Sequence, residues 1–460
     1  MGASGTTSAT PTSSAMSSSV SSAPVMPGQK TVPNSLRVGS FLSGLTKHEL
    51  KDEDFPKTAT REFIDLMKHS TPFENGKENG VIGDVSSWVH YNWPEGLEIS
   101  FRRDGYPQNL PSFTQWGTLR QSSVKATIGQ GGAYIEDGEY VATWKGNGNI
   151  SWEGDASLLR MEDSRTARVI VQPKTGIVVR LVQTDESDPL HSLSLVPVDF
   201  ANTTEIFHPR FLEMLNGTAL LRFSLWQMVD VWEHEGSLTR NWENRTLPTD
   251  QTQAGKFGVC VEYMVELANR LGADPWFSMP KAEATESDSI DSYAVAFATL
   301  VNRTLQSNLR VYVEYRSCCR AGLAPGWDSD NAVQSLVLWK SWEQAFDPAR
   351  VINVMSALPQ MTKLYGSDVT SVEAAAIDVS FSDVCKHGET PCVDFDSLEA
   401  NGTYGALSSA ELIDAVIRPA MLKQEVEINT RVQQALHYGF EIIAFDAMPL
   451  ISARGYGHRG

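Results

Sequence analysis

From about residue 192 onward the chain alternates short apolar runs with stretches of helical period, and that alternation is the tightest constraint on its fold. Val311-Tyr312-Val313-Glu314-Tyr315 and Val351-Ile352-Asn353-Val354-Met355 are short β-branched and aromatic runs of strand type. Between such runs lie helical patterns, notably Val261–Leu271 with Gly272 placed to end it, and residues 293–305. Strand, helix, strand in repetition implies parallel strands joined by crossovers. Runs at 193–198, 219–226, 275–280, 309–315, 351–355, 376–381 and 441–446 supply seven such strands. The resulting expectation is an α/β fold, a (β/α)8 TIM-type barrel over residues 191–460, incomplete at its eighth strand. Residues 36–92 are candidates to pack on that barrel, and a doubly wound sheet is the rival arrangement.

The chain before this region reads differently. Residues 1–35 are rich in Ser, Thr and Pro, with too little apolar surface to offset the entropy of ordering, and are expected to be disordered. They contain no apolar run of signal-peptide type. Residues 36–190 read as a β-rich, β-sandwich-like domain. Tyr140-Val141-Ala142-Thr143-Trp144 ends at the turn Gly146-Asn147-Gly148. Arg168–Val171 and Ile177–Val182 flank Pro173-Lys174-Thr175-Gly176, which reads as a hairpin.

Charge and composition exclude several function classes. A net charge of −18 disfavours nucleic acid, whose phosphates need a cationic surface, and anionic membranes equally. No stretch approaches the ~20 consecutive apolar residues of a membrane span. The five cysteines form no Cys-X-X-Cys pair, and the acidic residues follow no ion-binding loop pattern, so neither a metal nor an organic cofactor is implied. Cys385 and Cys392 bracket a short loop and are candidates for a disulfide. Six Asn-X-Ser/Thr sequons, at Asn149, Asn202, Asn216, Asn244, Asn302 and Asn401, favour an extracellular or cell-surface location. Twelve Trp is a high number for 460 residues, and flat indole faces suit sugar rings as well as cores.

A family resemblance is carried by Phe207-His208-Pro209-Arg210-Phe211-Leu212, Leu221-Arg222-Phe223, Trp242 with Arg245, and Glu262-Tyr263-Met264-Val265-Glu266-Leu267-Ala268-Asn269. Gly272-Ala273-Asp274-Pro275-Trp276-Phe277 and Val311–Tyr315 extend it. Over roughly residues 200–450 the chain resembles extracellular proteins with glycoside-hydrolase-type barrels, some described as cellulose-binding. The resemblance implies a polysaccharide or oligosaccharide partner. In the wider retaining superfamily, an Asn-Glu pair ends strand four and a Glu ends strand seven, two carboxyl groups about 5.5 Å apart acting as acid/base and nucleophile.

Departures from that pattern fall at the strand tips. Cys318 occupies the acid/base position, and Asp446 the nucleophile position. Leu225 replaces an Asp on strand two, where Leu221, Arg222, Phe223 and Trp226 are kept. Ser278 and Lys281 replace Asn and His on strand three. A thiol near pKa 8.5 is a poor proton donor to a glycosidic oxygen. Asp446 is one methylene short, a misplacement that can cost about 100-fold. Glu314, four residues before Cys318 on the same strand face, reads either as a substitute acid or as a buried carboxylate paired with Arg222. Candidate sugar contacts are Arg222, Trp226, Trp242, Trp276 and Tyr315, with core packing as the alternative for each Trp. Three readings follow: a carbohydrate-binding protein with weak or lost catalysis, an active retaining glycosidase using Asp446 with Glu314 or Asp383, and a non-enzymatic cell-wall or matrix protein.

Overall fold

The computed structural model describes residues 39–41, 61–75, 98–115, 118–129, 135–229, 242–280, 290–315, 327–355, 374–378 and 441–445. The first strand, β1 (Gly39–Phe41), pairs with a strand far along the chain and is taken up below. Next come β2 (Glu74–Asn75), the two-stranded ribbon β3 (Ser112–Gln115) and β4 (Thr118–Gln121), and β5 (Val124–Ile128). Then follow β6 (Gly138–Lys145), β7 (Gly148–Gly154), β8 (Ala156–Asp163), β9 (Thr166–Val171), β10 (Ile177–Thr184) and β11 (His191–Pro197). They form two antiparallel four-stranded sheets, in the orders β2-β5-β10-β7 and β11-β6-β9-β8. Alternate residues of both sheets, among them Val124, Ala126, Val169, Val171, Val179 and Leu181, point into one shared core.

The Arg168–Val171 and Ile177–Val182 runs do not form the hairpin that their turn residues suggest. β9 pairs with β6 and β8, and β10 with β5 and β7, so the connection passes from one sheet to the other. Asp155, in the β7–β8 turn, accepts hydrogen bonds from the backbone N–H groups of Lys174, Thr175 and Gly176. This holds the crossing loop against the neighbouring turn. Those bonds lower the Asp155 carboxyl from its ordinary value against a desolvation that raises it.

Parallel pairing begins with β12 (Leu220–Arg222), preceded by α1 (Pro209–Met214). There follow α2 (Val261–Leu271), β13 (Asp274–Met279), α3 (Ser292–Thr304), β14 (Val311–Tyr315), α4 (Trp327–Glu343), β15 (Val351–Met355), β16 (Ala374–Asp378) and β17 (Glu441–Phe445). With β1 as the outermost member, they build a seven-stranded parallel sheet in chain order, β1-β12-β13-β14-β15-β16-β17. α2 is amphipathic, buries Met264, Val265, Leu267 and Ala268, and ends at Gly272 with φ 63°, a conformation open to glycine at little steric cost. No described helix is long and apolar enough to cross a membrane.

Two expectations are overturned here. The 193–198 run is not the first parallel strand; it belongs to β11, which pairs antiparallel with β6. Its burial alternates, Leu193 and Leu195 inward with Ser194 and Val196 half-buried between them, as a sheet covered on one face requires. β13, β14 and β15 are instead buried at every position. Nor is the architecture a (β/α)8 TIM-type barrel. Among the described residues no ladder joins β17 to β1, four α-helices are present where a barrel uses eight, and two antiparallel sheets make up much of the chain. Alternation of element types dictates parallel pairing; it does not dictate strand number or closure, which depend on tilt and stagger between strands.

Residues 61–70 tie the two cores together. Phe63 is fully buried in the α/β core against Phe207, Trp226 and Tyr263, while Leu66 and Met67 are buried in the antiparallel core. Backbone bonds from His208 N–H to the Glu62 carbonyl and from Ile64 N–H to the Ile206 carbonyl fix the crossing. At this junction Glu62 Oε2 lies 3.6 Å from His69 Nδ1. His69 Nε2 accepts the Phe63 N–H at 3.1 Å, so the ring proton sits on Nδ1, facing Glu62. Burial raises the Glu62 carboxyl to about 7 and, helped by the Arg61 charge, lowers His69 to about 3. At neutral pH the contact is therefore a neutral imidazole beside an acid that is about half protonated, not an ion pair.

The two groups act on stability in opposite directions. Glu62 favours the folded state below its unfolded value of 4.5 and loses that contribution as pH rises to about 7. His69 favours it above 6.5 and loses it as pH falls towards about 3. Glu62→Gln leaves only the histidine slope. Relative to the parent, the variant gains on the order of 3 kcal/mol between about pH 5 and pH 8, read from urea midpoints. A difference that does not change with pH would show that the carboxyl is not held neutral.

Candidate functional site

The parallel sheet has two unlike faces. Leu221, Phe277, Val311, Val313, Tyr315 and Met355 share one face and pack in the helix-covered apolar core. On the other face the register places Arg222 beside Trp276, Trp276 beside Tyr312, and Ser278 beside Glu314. Side chains on a strand alternate, so Trp276 and Ser278 of β13 join Tyr312 and Glu314 of β14 on that second face. The result is a buried polar and aromatic ladder across three strands.

Its centre is an ion pair. Arg222 Nη2 donates to Glu314 Oε1 at 3.0 Å and Oε2 at 2.9 Å, and Ser278 Oγ donates to Oε2 at 3.4 Å. Arg222 is 3% exposed and Glu314 0%, so the pair is fully removed from water. The Arg222 guanidinium also lies 4.5 Å from the Trp276 ring centroid, a cation–π contact strengthened by the same desolvation. At the other end of the ladder Asp274 accepts the Arg310 N–H at 2.9 Å, and Arg310 donates to Tyr312 Oη at 2.9 Å. Gln227 Oε1 accepts the Ser278 N–H at 2.9 Å and so fixes the end of β13 against the turn after β12.

That turn is held tightly. Met228 has φ 54°, and the Val259 N–H donates to the Trp226 carbonyl at 2.8 Å. Gly258, with φ 69°, passes so close to the Trp226 carbonyl that any Cβ would collide with it. A cavity of about 20 Å³ beside it, lined by Gln227, Arg245, Thr246, Cys260, Tyr293 and Phe297, has room for one water. The Cys260 thiol next to it is buried and raised well above its ordinary value by that burial, which makes it a packing group, not a nucleophile.

The sequence-derived residues fall into distinct places. Arg222, Glu314 and Trp276 come together as described. Trp226 is 1% exposed and enclosed by Phe63, Phe211 and Phe223, and Trp276 is 1% exposed, so neither ring offers a face to a sugar. Tyr315 is buried on the opposite, helix-packed face. Trp242 is half-buried, with Arg245 stacked 4.1 Å from its ring centroid and Tyr293 and Phe297 at its edge. Cys318, Asp383, Cys385, Cys392, Asp446 and Lys281 lie outside the described residues. Sequence reasoning missed Asp274, Arg310 and Tyr312 as members of the ladder. The signal was present: Tyr312 and Glu314 occupy alternate positions in β14, as do Asp274, Trp276 and Ser278 in β13.

What the arrangement does chemically follows from its burial. A carboxylate bound through both oxygens to a guanidinium and shielded from solvent is a poor proton donor and an unavailable nucleophile. Removing one partner strands the other. Arg222→Met should cost about 3–5 kcal/mol, whereas Arg222→Met with Glu314→Leu should recover most of that loss in urea unfolding. A double variant as unstable as the sum of the singles would show that the pair is not coupled. No protein-family model matches the chain, and no curated protein matches it.

Proposed function

We propose that the chain binds a polysaccharide or oligosaccharide and that its hydrolytic activity is weak or absent. The observation that carries the second half is the state of Glu314, 0% exposed and ion-paired to Arg222, which removes it as acid, base or nucleophile. The first half is supported by the resemblance of the 200–450 segment to extracellular cellulose-binding proteins; substitution of both expected catalytic carboxylates, as Cys318 and Asp446, supports the second. Trp242, the one half-buried ring of the three candidate tryptophans, is the aromatic surface left for a pyranose face.

Burial of Trp226 and Trp276 favours a second reading, in which the chain is a non-enzymatic wall or matrix protein and its aromatic residues serve packing alone. Retention on insoluble cellulose and other glycans separates the two. Retention reduced several-fold by Trp242→Ala supports binding, and no retention on any glycan supports the matrix role. Reducing ends released from β-glucans should stay at background for both the parent and Asp446→Asn. Hydrolysis that disappears in Asp446→Asn would establish an active glycosidase instead.

A further inference from the structure

The sequons pose a structural question that the fold answers. Five of the six lie among described residues: Asn149-Ile-Ser, Asn202-Thr-Thr, Asn216-Gly-Thr, Asn244-Arg-Thr and Asn302-Arg-Thr. A sequon that arises by chance keeps its asparagine at the surface only as often as asparagines in general do. An Asn that carries a bulky, hydrated glycan has to stay there. All five are exposed. The other asparagines of known burial divide differently: Asn147 and Asn308 are exposed, Asn109 and Asn269 half-buried, and Asn353 buried.

Local geometry makes room at each position. Asn202 and Asn216 sit in turns, the first after the 3-10 helix Val198–Phe200 and the second just past α1, where Gly217 takes φ 83°. Asn302 is exposed on α3, at the solvent edge of the buried stripe formed by Phe297, Ala298 and Val301. Asn149 lies on β7, an edge strand, and its Nδ2 donates to Gln183 Oε1 at 2.9 Å. A side-chain amide has two hydrogens, so a glycan replacing one leaves the other for Gln183.

Asn244 is the informative case, because it is two residues from Trp242, the candidate sugar contact. The two share a 3-10 helix, Trp242–Asn244. With three residues per turn, positions two apart point in different directions. Trp242 turns inward onto Tyr293 and Phe297, Asn244 outward to solvent, and Arg103 clamps the backbone on either side of Asn244 by donating to the Glu243 and Arg245 carbonyls. A glycan on Asn244 therefore flanks the Trp242 ring without covering it.

We infer that Asn149, Asn202, Asn216, Asn244 and Asn302 are acceptor sites for N-linked oligosaccharide. In the transfer, Asn Nδ2 forms a bond to the anomeric carbon of an oligosaccharide held on a lipid diphosphate. The bond from that carbon to the phosphate oxygen breaks, Nδ2 loses one proton, and the lipid diphosphate leaves. The hydroxyl two residues on is the feature the transferring enzyme reads.

The test uses the full chain isolated from its own source. Peptide N-glycosidase hydrolyses each glycan-bearing Asn to Asp, and peptide mass spectrometry reads the conversion position by position. Conversion at most of the five sequons, with exposed Asn147 and Asn308 unconverted, is the expected result. Conversion at none or at a minority of the five overturns the inference. Deamidation equal at Asn147 and Asn308 would also overturn it, by showing a chemical rather than an enzymatic origin. The outcome is independent of glycan retention, so failure here and failure of the binding role are told apart.

Discussion

The Arg222–Glu314 pair organises the parallel sheet. Two opposite charges in an interior cost several kcal/mol each to desolvate, and only near-ideal geometry recovers that cost. Here both carboxylate oxygens meet one guanidinium nitrogen, Ser278 adds a third contact, and Trp276 lies under the guanidinium. These partners come from three adjacent strands, β12, β13 and β14, and each can reach the others only in the observed register. A slip by one residue would turn Glu314 to the helix-packed face, among Phe277 and Phe297, with no counter-charge. The pair thus acts on specificity of strand pairing at least as much as on stability.

Strand bodies and strand tips are under different physical demands. Strand bodies must fill space and pair charges. Tips must present a group of suitable pKa to a wet pocket. Glu314 belongs to the first category by every measure available to it: burial, a bound cation and a hydrogen-bonding serine.

How much of this was legible beforehand depended on whether a signal was local. The parallel pairing of β12 to β15 was readable from continuous apolar runs, and α2 from its period and Gly272. The Arg222–Glu314 pair was legible as one of two alternatives, since a lone Glu inside Val311–Tyr315 demands a counter-charge. What failed was non-local. β11 has the composition of a parallel strand, and only the alternation of Leu193 and Leu195 with Ser194 and Val196 betrayed its one-sided burial. Closure into a barrel and the supposed hairpin at Pro173–Gly176 both failed because pairing partners, unlike strand identity, are not written in the segment itself. The burial of Trp226 and Trp276 was equally unreadable, since indole suits a core and a sugar alike.

The short segment through Phe63, Leu66 and Met67 has a mechanical consequence. Linkers between units are normally solvated and can slacken while both units stay intact. This one is rooted in both interiors, and Lys68 adds bonds to the Pro248 and Asp250 carbonyls across the seam. Neither half can melt without pulling a plug from the other. The described chain should then denature in a single transition, with no long-lived species in which one half is intact and the other open.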